Sequence, residues 1–420
     1  MLLNSIVGRS ILYKLLADVA GRVTSFLVVV TVAHRLGTRA TGIYALAFSL
    51  GAYITVFSDL GMHLFLTREI AAGRSAAERL IGSLFLLKIA INAAVGVAVS
   101  AAILFFLPWD EETRMVLIIA WATLCYSFVE FLTAVLRGYN AIIEETSLVL
   151  IFRLARTAVG IAMIWIFKDL ISFALAVALL TVLAAAGSSW YVVRRWGLPQ
   201  FSFSWKEVKH WVGEYLPIGA GLVITLLYWR SDVFLIRFFL TPVEVGLYDA
   251  AYRAFDAVQV FPAITLAVLY PRFAAPGGLR YFWHAVRGLE ILALSLMASV
   301  FFGGELFLRL AYGRAFEASA PILKILFLAL PLMFANAILI NYLIANRRQG
   351  TYVLAASLAF LFKASINLWA IPKFGISAAA VAAVLTEFVI LAVCLAGFLV
   401  HHKDTKTGQY RGGVSPRRTN

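Results

Sequence analysis

The chain has 420 residues; 62% are hydrophobic, only 14% are charged, and the formal net charge is +14. A soluble domain is usually about half apolar and about a quarter charged, so this composition excludes an ordinary water-soluble enzyme and predicts an integral membrane protein. Most Lys and Arg fall in short segments between apolar runs, which directs the positive charge towards anionic headgroups rather than nucleic acid.

No small-residue cleavage site follows a short apolar core at the N-terminus, so the first apolar run is expected to be retained. A helical span needs roughly twenty mostly apolar residues. Runs that satisfy this lie at 11–33, 42–65, 81–107, 114–136, 147–167, 170–193, 213–240, 246–271, 286–308, 321–345, 351–371 and 375–400. About twelve transmembrane helices follow, in an all-α fold. Only Lys168-Asp169 separates the fifth span from the sixth.

Several spans carry charge, which costs at least about 2.5–3.5 kcal/mol per residue at bilayer depth and is retained facing a bundle interior or a wet cavity. Span one has Asp18 and Arg22 one turn apart, span three Lys88 and Asn92, and span five Arg153 and Arg156. Span seven has Arg230 and Asp232; span eight has Asp249, Arg253 and Asp256 on one stripe; span eleven has Lys363 and Asn367. Glu130, Glu290 and Glu387 lie in other spans. Each has a structural reading. Asp18–Arg22 and Asp249–Arg253 suit self-paired struts, and Lys88 and Arg153 suit snorkelling from near a span end. Asn336, Asn341 and Asn346 suit interhelical hydrogen-bond glue. The functional reading gathers Arg22, Arg230, Arg253 and Lys363, with Asp18, Asp249 and Asp256, around one anionic ligand. Arg suits bidentate phosphate contacts and Lys offers a compact point charge.

The longest basic loop, about 194–212, contains Pro199 and divides the spans six and six. Gly42-Ile43-Tyr44-Ala45 opens span two and Gly246-Leu247-Tyr248-Asp249 opens span eight. Equal span number and like orientation predict a parallel repeat: an N-terminal lobe 1–200 and a C-terminal lobe 201–400, related by a pseudo-two-fold axis along the membrane normal. A polar tail, 401–420, with Gly412-Gly413 and Pro416, is expected to be disordered and cytoplasmic. If the N-terminus is cytoplasmic, inner segments hold 20 Lys and Arg and outer loops 8. That bias predicts both termini inside a multi-pass cell-membrane protein.

Chemistry-bearing motifs are sparse. Cys125 and Cys394 sit singly in apolar runs, and His401-His402 is a weak metal signal, so no metal and no cofactor are expected. No phosphate-binding glycine loop, nucleophile elbow or zinc-peptidase motif occurs. The one acidic cluster, Asp110-Glu111-Glu112, is read as a solvated outer loop without a catalytic role.

A family resemblance rests on ordered motifs across residues 10–400. His34-Arg35-Leu36-Gly37-Thr38-Arg39-Ala40-Thr41-Gly42-Ile43-Tyr44-Ala45 is followed by Phe57-Ser58-Asp59-Leu60-Gly61 and Thr67-Arg68-Glu69-Ile70-Ala71. Then come Tyr215-Leu216-Pro217-Ile218, Tyr228-Trp229-Arg230-Ser231-Asp232, Val245-Gly246-Leu247-Tyr248 and Pro372-Lys373-Phe374-Gly375-Ile376-Ser377-Ala378-Ala379-Ala380. The series resembles the polysaccharide-biosynthesis, or Wzx-like oligosaccharide, flippases of the multidrug/oligosaccharidyl-lipid/polysaccharide exporter superfamily. The resemblance implies two six-helix lobes around a cation-lined cavity, alternating access, and an oligosaccharide on a polyprenyl phosphate or pyrophosphate as cargo. Membrane lipids are expected partners, with a polysaccharide polymerase and glycosyltransferases as candidate protein partners and nucleic acid excluded. Some relatives carry two further C-terminal helices, whereas this chain stops at twelve runs. A multidrug/cation antiporter of the same superfamily is the first alternative, and it calls for more acid than base in the cavity. A membrane-embedded glycosyltransferase is the second, and it calls for a catalytic carboxylate loop. A pure scaffold leaves the buried charges unexplained.

Overall fold

The computed structural model describes residues 6–73, 77–201, 204–273 and 277–406. Of the polar tail 401–420, residues 401–406 continue the last helix rather than being disordered, because the apolar run before them carries the helix on; the rest of the tail and two residues of the central basic loop lie outside the described residues. The helices are α1 (Ile6–Asp59), α2 (Met62–Ala71), α3 (Ala77–Phe106), α4 (Glu111–Gly138), α5 (Ile142–Phe167), α6 (Leu170–Trp196) and α7 (Trp205–Phe239). They continue as α8 (Pro242–Ala257), α9 (Val260–Phe273), α10 (Gly278–Tyr312), α11 (Ala320–Leu328), α12 (Leu330–Ala345), α13 (Gln349–Phe374) and α14 (Ile376–Lys406). A 3-10 segment, Arg314–Ser319, precedes α11.

Ten helical segments among the described residues are long and apolar enough to cross a bilayer, and a pair bent by 40° about Ala329 makes an eleventh. The first, Leu16–Asp59, has 44 residues. At 1.5 Å per residue that is about 66 Å, twice the roughly 30 Å of a hydrocarbon core. It is two spans joined at Gly37, whose φ of 81° and ψ of −170° no helix allows and few side chains tolerate. Among the described residues the total is therefore twelve, as the apolar runs predict, with six in each half of the chain.

Local chemistry explains the other boundaries. Lys168 ends α5 in a left-handed conformation, and Asp169 caps α6 by accepting the Ser172 N–H at 2.7 Å. This two-residue turn is enough to separate the fifth and sixth spans. Asp110 caps α4 in the same way, through the Thr113 N–H at 3.0 Å. Between α1 and α2 the chain breaks at Leu60 and Gly61, with φ of 47° and 87°.

The helices pack as two compact units. The first runs to Asp249 and includes Arg309–Glu317; the second comprises Ala250–Leu308 and the chain from Ala318 onward. In the first unit α4 is central, packed against α1, α2, α3, α5 and α6. Its core joins Met62, Phe65 and Leu66 of α2 to Leu80 and Leu84 of α3, Phe131 and Val135 of α4, and Tyr215 of α7. Here the two repeated motifs meet. A Cβ on Gly42 would stand 1.7 Å from the Pro242 carbonyl oxygen, and one on Gly246 would stand 2.2 Å from the Thr38 carbonyl oxygen. The same spacing relates Thr38 to Pro242 as Gly42 to Gly246, so the contact is reciprocal, as a two-fold repeat requires.

In the second unit α14 packs on α11, α12 and α13. Asn336 of α12 donates to the Glu387 carbonyl at 2.9 Å and to its carboxylate at 2.8 Å, which is interhelical glue of the expected kind. Asn341 and Asn346 differ: each donates within its own helix, to Ala337 O and Tyr342 O at 2.8 Å. Phe282, Tyr342 and Phe398 close one end of the unit, with ring centroids 5.0–5.5 Å apart.

Candidate functional site

Asp18 and Arg22 lie well inside the first span of α1, and both are exposed. The ion pair of Asp18 is not with Arg22. It accepts from Arg153 of α5 at 3.3 Å. Gly21 permits this crossing, because a Cβ there would stand 2.4 Å from Arg153 Nη1. Arg156, one turn further along α5, is half-buried, its guanidinium carbon 5.7 Å from the Phe152 ring centre. Arg153 thus does not snorkel alone; it spans two helices near the middle of α5.

Arg230 of α7 lies 3.6 Å from the wholly buried Asp249 of α8. Asp232, two residues beyond Arg230 on α7, accepts from the Tyr248 hydroxyl of α8 at 2.8 Å. Tyr53 of α1 feels the charges of both Asp232 and Arg230, and its hydroxyl reaches the Leu226 carbonyl at 3.4 Å. The first unit therefore brings Arg230 and Asp249 together, with Tyr53 in reach of the Arg230 charge. Arg253, Asp256 and Lys363 belong to the second unit. There Arg253 and Asp256 are half-buried on α8, and Lys363 and Asn367 are buried one turn apart on α13.

Two expectations are corrected. Lys88 does not snorkel: its side chain is 0% exposed, and its ammonium donates to Ser58 O at 3.1 Å and to Asp59 Oδ1 at 3.3 Å. The core against which α3 packs closes the route to water. The acidic loop is not simply solvated either. Asp110 is a helix cap, and the Glu112 side chain, 2% exposed, takes a bidentate pair from Arg237 of α7 at 2.5 and 3.1 Å. Only Glu111 is exposed as a loop residue would be. Sequence reasoning passed over Asp59 as a chemical group. The available signal was an acid immediately before the Leu60-Gly61 break, with an isolated lysine in the next span. Among the described residues no three His, Cys, Asp or Glu side chains converge as metal ligands.

Helices of membrane-crossing length and hydropathy, with no strand among the described residues, define an all-α, multi-pass membrane protein. Residues 7–275 match the family model described as polysaccharide biosynthesis protein, and the chain belongs to that family. A curated relative, described as a probable low-salt glycan biosynthesis flippase, Agl15, of Haloferax volcanii, is 23% identical over 411 residues, covering 94% of this chain and 83% of its own. The fold is that of the lipid II flippase MurJ in an inward closed conformation, with a TM-score of 0.77 at 15% identity over 93% of this chain and 87% of that one. An inward-facing multidrug resistance MATE family transporter of the MOP superfamily gives a TM-score of 0.73 at 12% identity over 92% and 96%.

Proposed function

We propose that the protein is a flippase that carries an oligosaccharide on a polyprenyl phosphate or pyrophosphate across the cytoplasmic membrane for polysaccharide biosynthesis. Membership of the polysaccharide biosynthesis family and the likeness to a glycan biosynthesis flippase support this reading. The carrying observation is the charge placed around α1. The guanidinium groups of Arg22, Arg153, Arg156 and Arg230 outnumber the carboxylates of Asp18, Asp232 and Asp249, and Asp18 and Arg22 are exposed inside a span. Charge at that depth is costly against hydrocarbon and is retained where it faces a wet cavity, so Asp18, Arg22 and the half-buried arginines line a wet, cationic path. A phosphate head group is the complementary ligand, gripped by guanidinium forks.

The lipid tail stays in the bilayer while the head group crosses, and no bond is made or broken. The six-span halves, 1–200 and 201–400, act as the alternating lobes, with both termini cytoplasmic as the 20-to-8 bias in Lys and Arg favours. The excess of base over acid disfavours a cation antiporter.

The test measures membrane abundance and translocation of a fluorescent lipid-linked oligosaccharide in proteoliposomes. Arg153→Ala is expected to keep abundance and lose most transport, with Arg153→Lys retaining part of it, since the charge survives without the fork. Arg230→Ala is expected to lower both, because it also strands Asp249. In the second unit Arg253→Ala and Lys363→Ala are measured separately. Full transport in Arg153→Ala sinks the cationic-path reading.

A further inference from the structure

A group of ionisable side chains outside the proposed path lies where α1 breaks into α2. Asp59 ends α1, and one of its oxygens, Oδ2, accepts from the backbone N–H of Gly61 at 3.1 Å and of His63 at 3.3 Å. The same oxygen meets His63 Nδ1 at 2.5 Å, while the other oxygen takes Lys88 of α3. Glu130 of α4 lies nearby, within electrostatic reach of Asp59, Lys88, His63 and Arg137. From α7, Tyr215 feels the charge of Asp59; from α4, Tyr126 feels that of Glu130. Of the neighbouring charges, Arg137 of α4 pairs with Glu145 at 3.2 Å and also acts on Glu130, and Arg68 of α2 pairs with Glu69 and Glu214 at 3.0 and 2.6 Å.

We propose that Asp59, His63 and Lys88 form a proton-binding hinge, with His63 the seat of the exchanging proton. Asp59 Oδ2 is shared by two backbone N–H groups and the His63 ring, and a hydrogen bond from a cationic imidazole is stronger than one from a neutral ring, which links proton occupancy to the local geometry. His63 is the member that reaches the surface: its side chain is 29% exposed, against 5% for Asp59 and 0% for Lys88. A proton from water adds at Nε2, Nδ1–H continues to donate to Asp59, and no other bond changes.

That oxygen of Asp59 also holds the first amides of α2, so the charge on His63 sets how firmly the break is clamped. The break is not isolated from the rest of the unit. A Cβ on Gly219 of α7 would stand 2.1 Å from the Leu60 carbonyl oxygen, so a shift at Leu60 must displace α7. The hinge therefore responds to pH on the face that carries α2, which is the cytoplasmic face only if the topology proposed above holds.

The test uses the full chain in nanodiscs with no cargo, so it stands or fails apart from the flippase reading. Hydrogen exchange is followed over Gly61–Leu64 from pH 5.5 to 8, corrected for the intrinsic chemical rate. Protection is expected to fall several-fold from the acid to the alkaline end of that range, as the His63 ring loses its charge. His63→Gln, or His63→Asn if the first is poorly expressed, is expected to flatten that step, and Glu130→Gln to keep it. A flat wild-type profile, a step that survives both His63 variants, or a step abolished by Glu130→Gln overturns the proposal.

Discussion

Lys88 and Asp59 stand 3.3 Å apart with side chains 0% and 5% exposed; Arg153 and Asp18 stand at the same 3.3 Å with side chains 32% and 58% exposed. Both pairs tie neighbouring helices of the first unit. The distance is the same, so distance does not set what each pair does; surroundings do. The enclosed pair has no water to replace a lost partner, so each group is held in place by the other. The open pair contributes little to stability, and in the proposed function its guanidinium is the one offered to the head group. An enclosed ion pair is a structural commitment, while an open one inside a span is a candidate for function.

The largest effect that separates them is expected from Lys88→Ala. Removing one partner of a buried pair costs about 3–5 kcal/mol, here lessened by the amides that still cradle Asp59. Membrane abundance should fall sharply, and Lys88→Met with Asp59→Asn should restore much of it. Normal abundance of Lys88→Ala would break the comparison.

An intermediate effect is expected at the acidic loop, which the enclosed/open distinction splits. Glu112→Gln weakens a buried bidentate pair with Arg237 and should lower the thermal midpoint of the purified protein by more than Asp110→Asn, which loses part of a cap worth about 1 kcal/mol. Glu111→Gln should change nothing measurable. Equal effects at all three positions would show that burial is not the deciding variable.

The smallest effect on stability is expected from Asp18→Asn. An exposed pair contributes about 0–1 kcal/mol, so abundance and thermal midpoint should stay near wild type while lipid-linked cargo is translocated with altered affinity. A large loss of abundance would place Asp18 among the enclosed charges.

How much of this was legible in the sequence differs by kind of statement. The twelve spans, including the narrow division at Lys168-Asp169, follow from runs of apolar residues, because a bilayer of fixed thickness filters for helix length and hydropathy along one dimension. The repeat was visible in Gly42-Ile43-Tyr44 and Gly246-Leu247-Tyr248, since close backbone crossing admits only glycine and so leaves a mark at each position. Family membership was legible for the same reason: ordered local motifs survive in the chain itself. Pairing was not. The sequence offered Arg22 to Asp18 at helical spacing, yet Arg153 takes it by crossing at Gly21. It offered Lys88 a route to headgroups that packed residues of α2 and α4 close. It made Glu112 a loop residue, whereas Arg237 arrives from α7, 125 positions away. Hydropathy decides that a segment enters the membrane, but which face meets which neighbour depends on how several helices pack at once. For a charged side chain that packing decides whether its partner is protein, water or ligand.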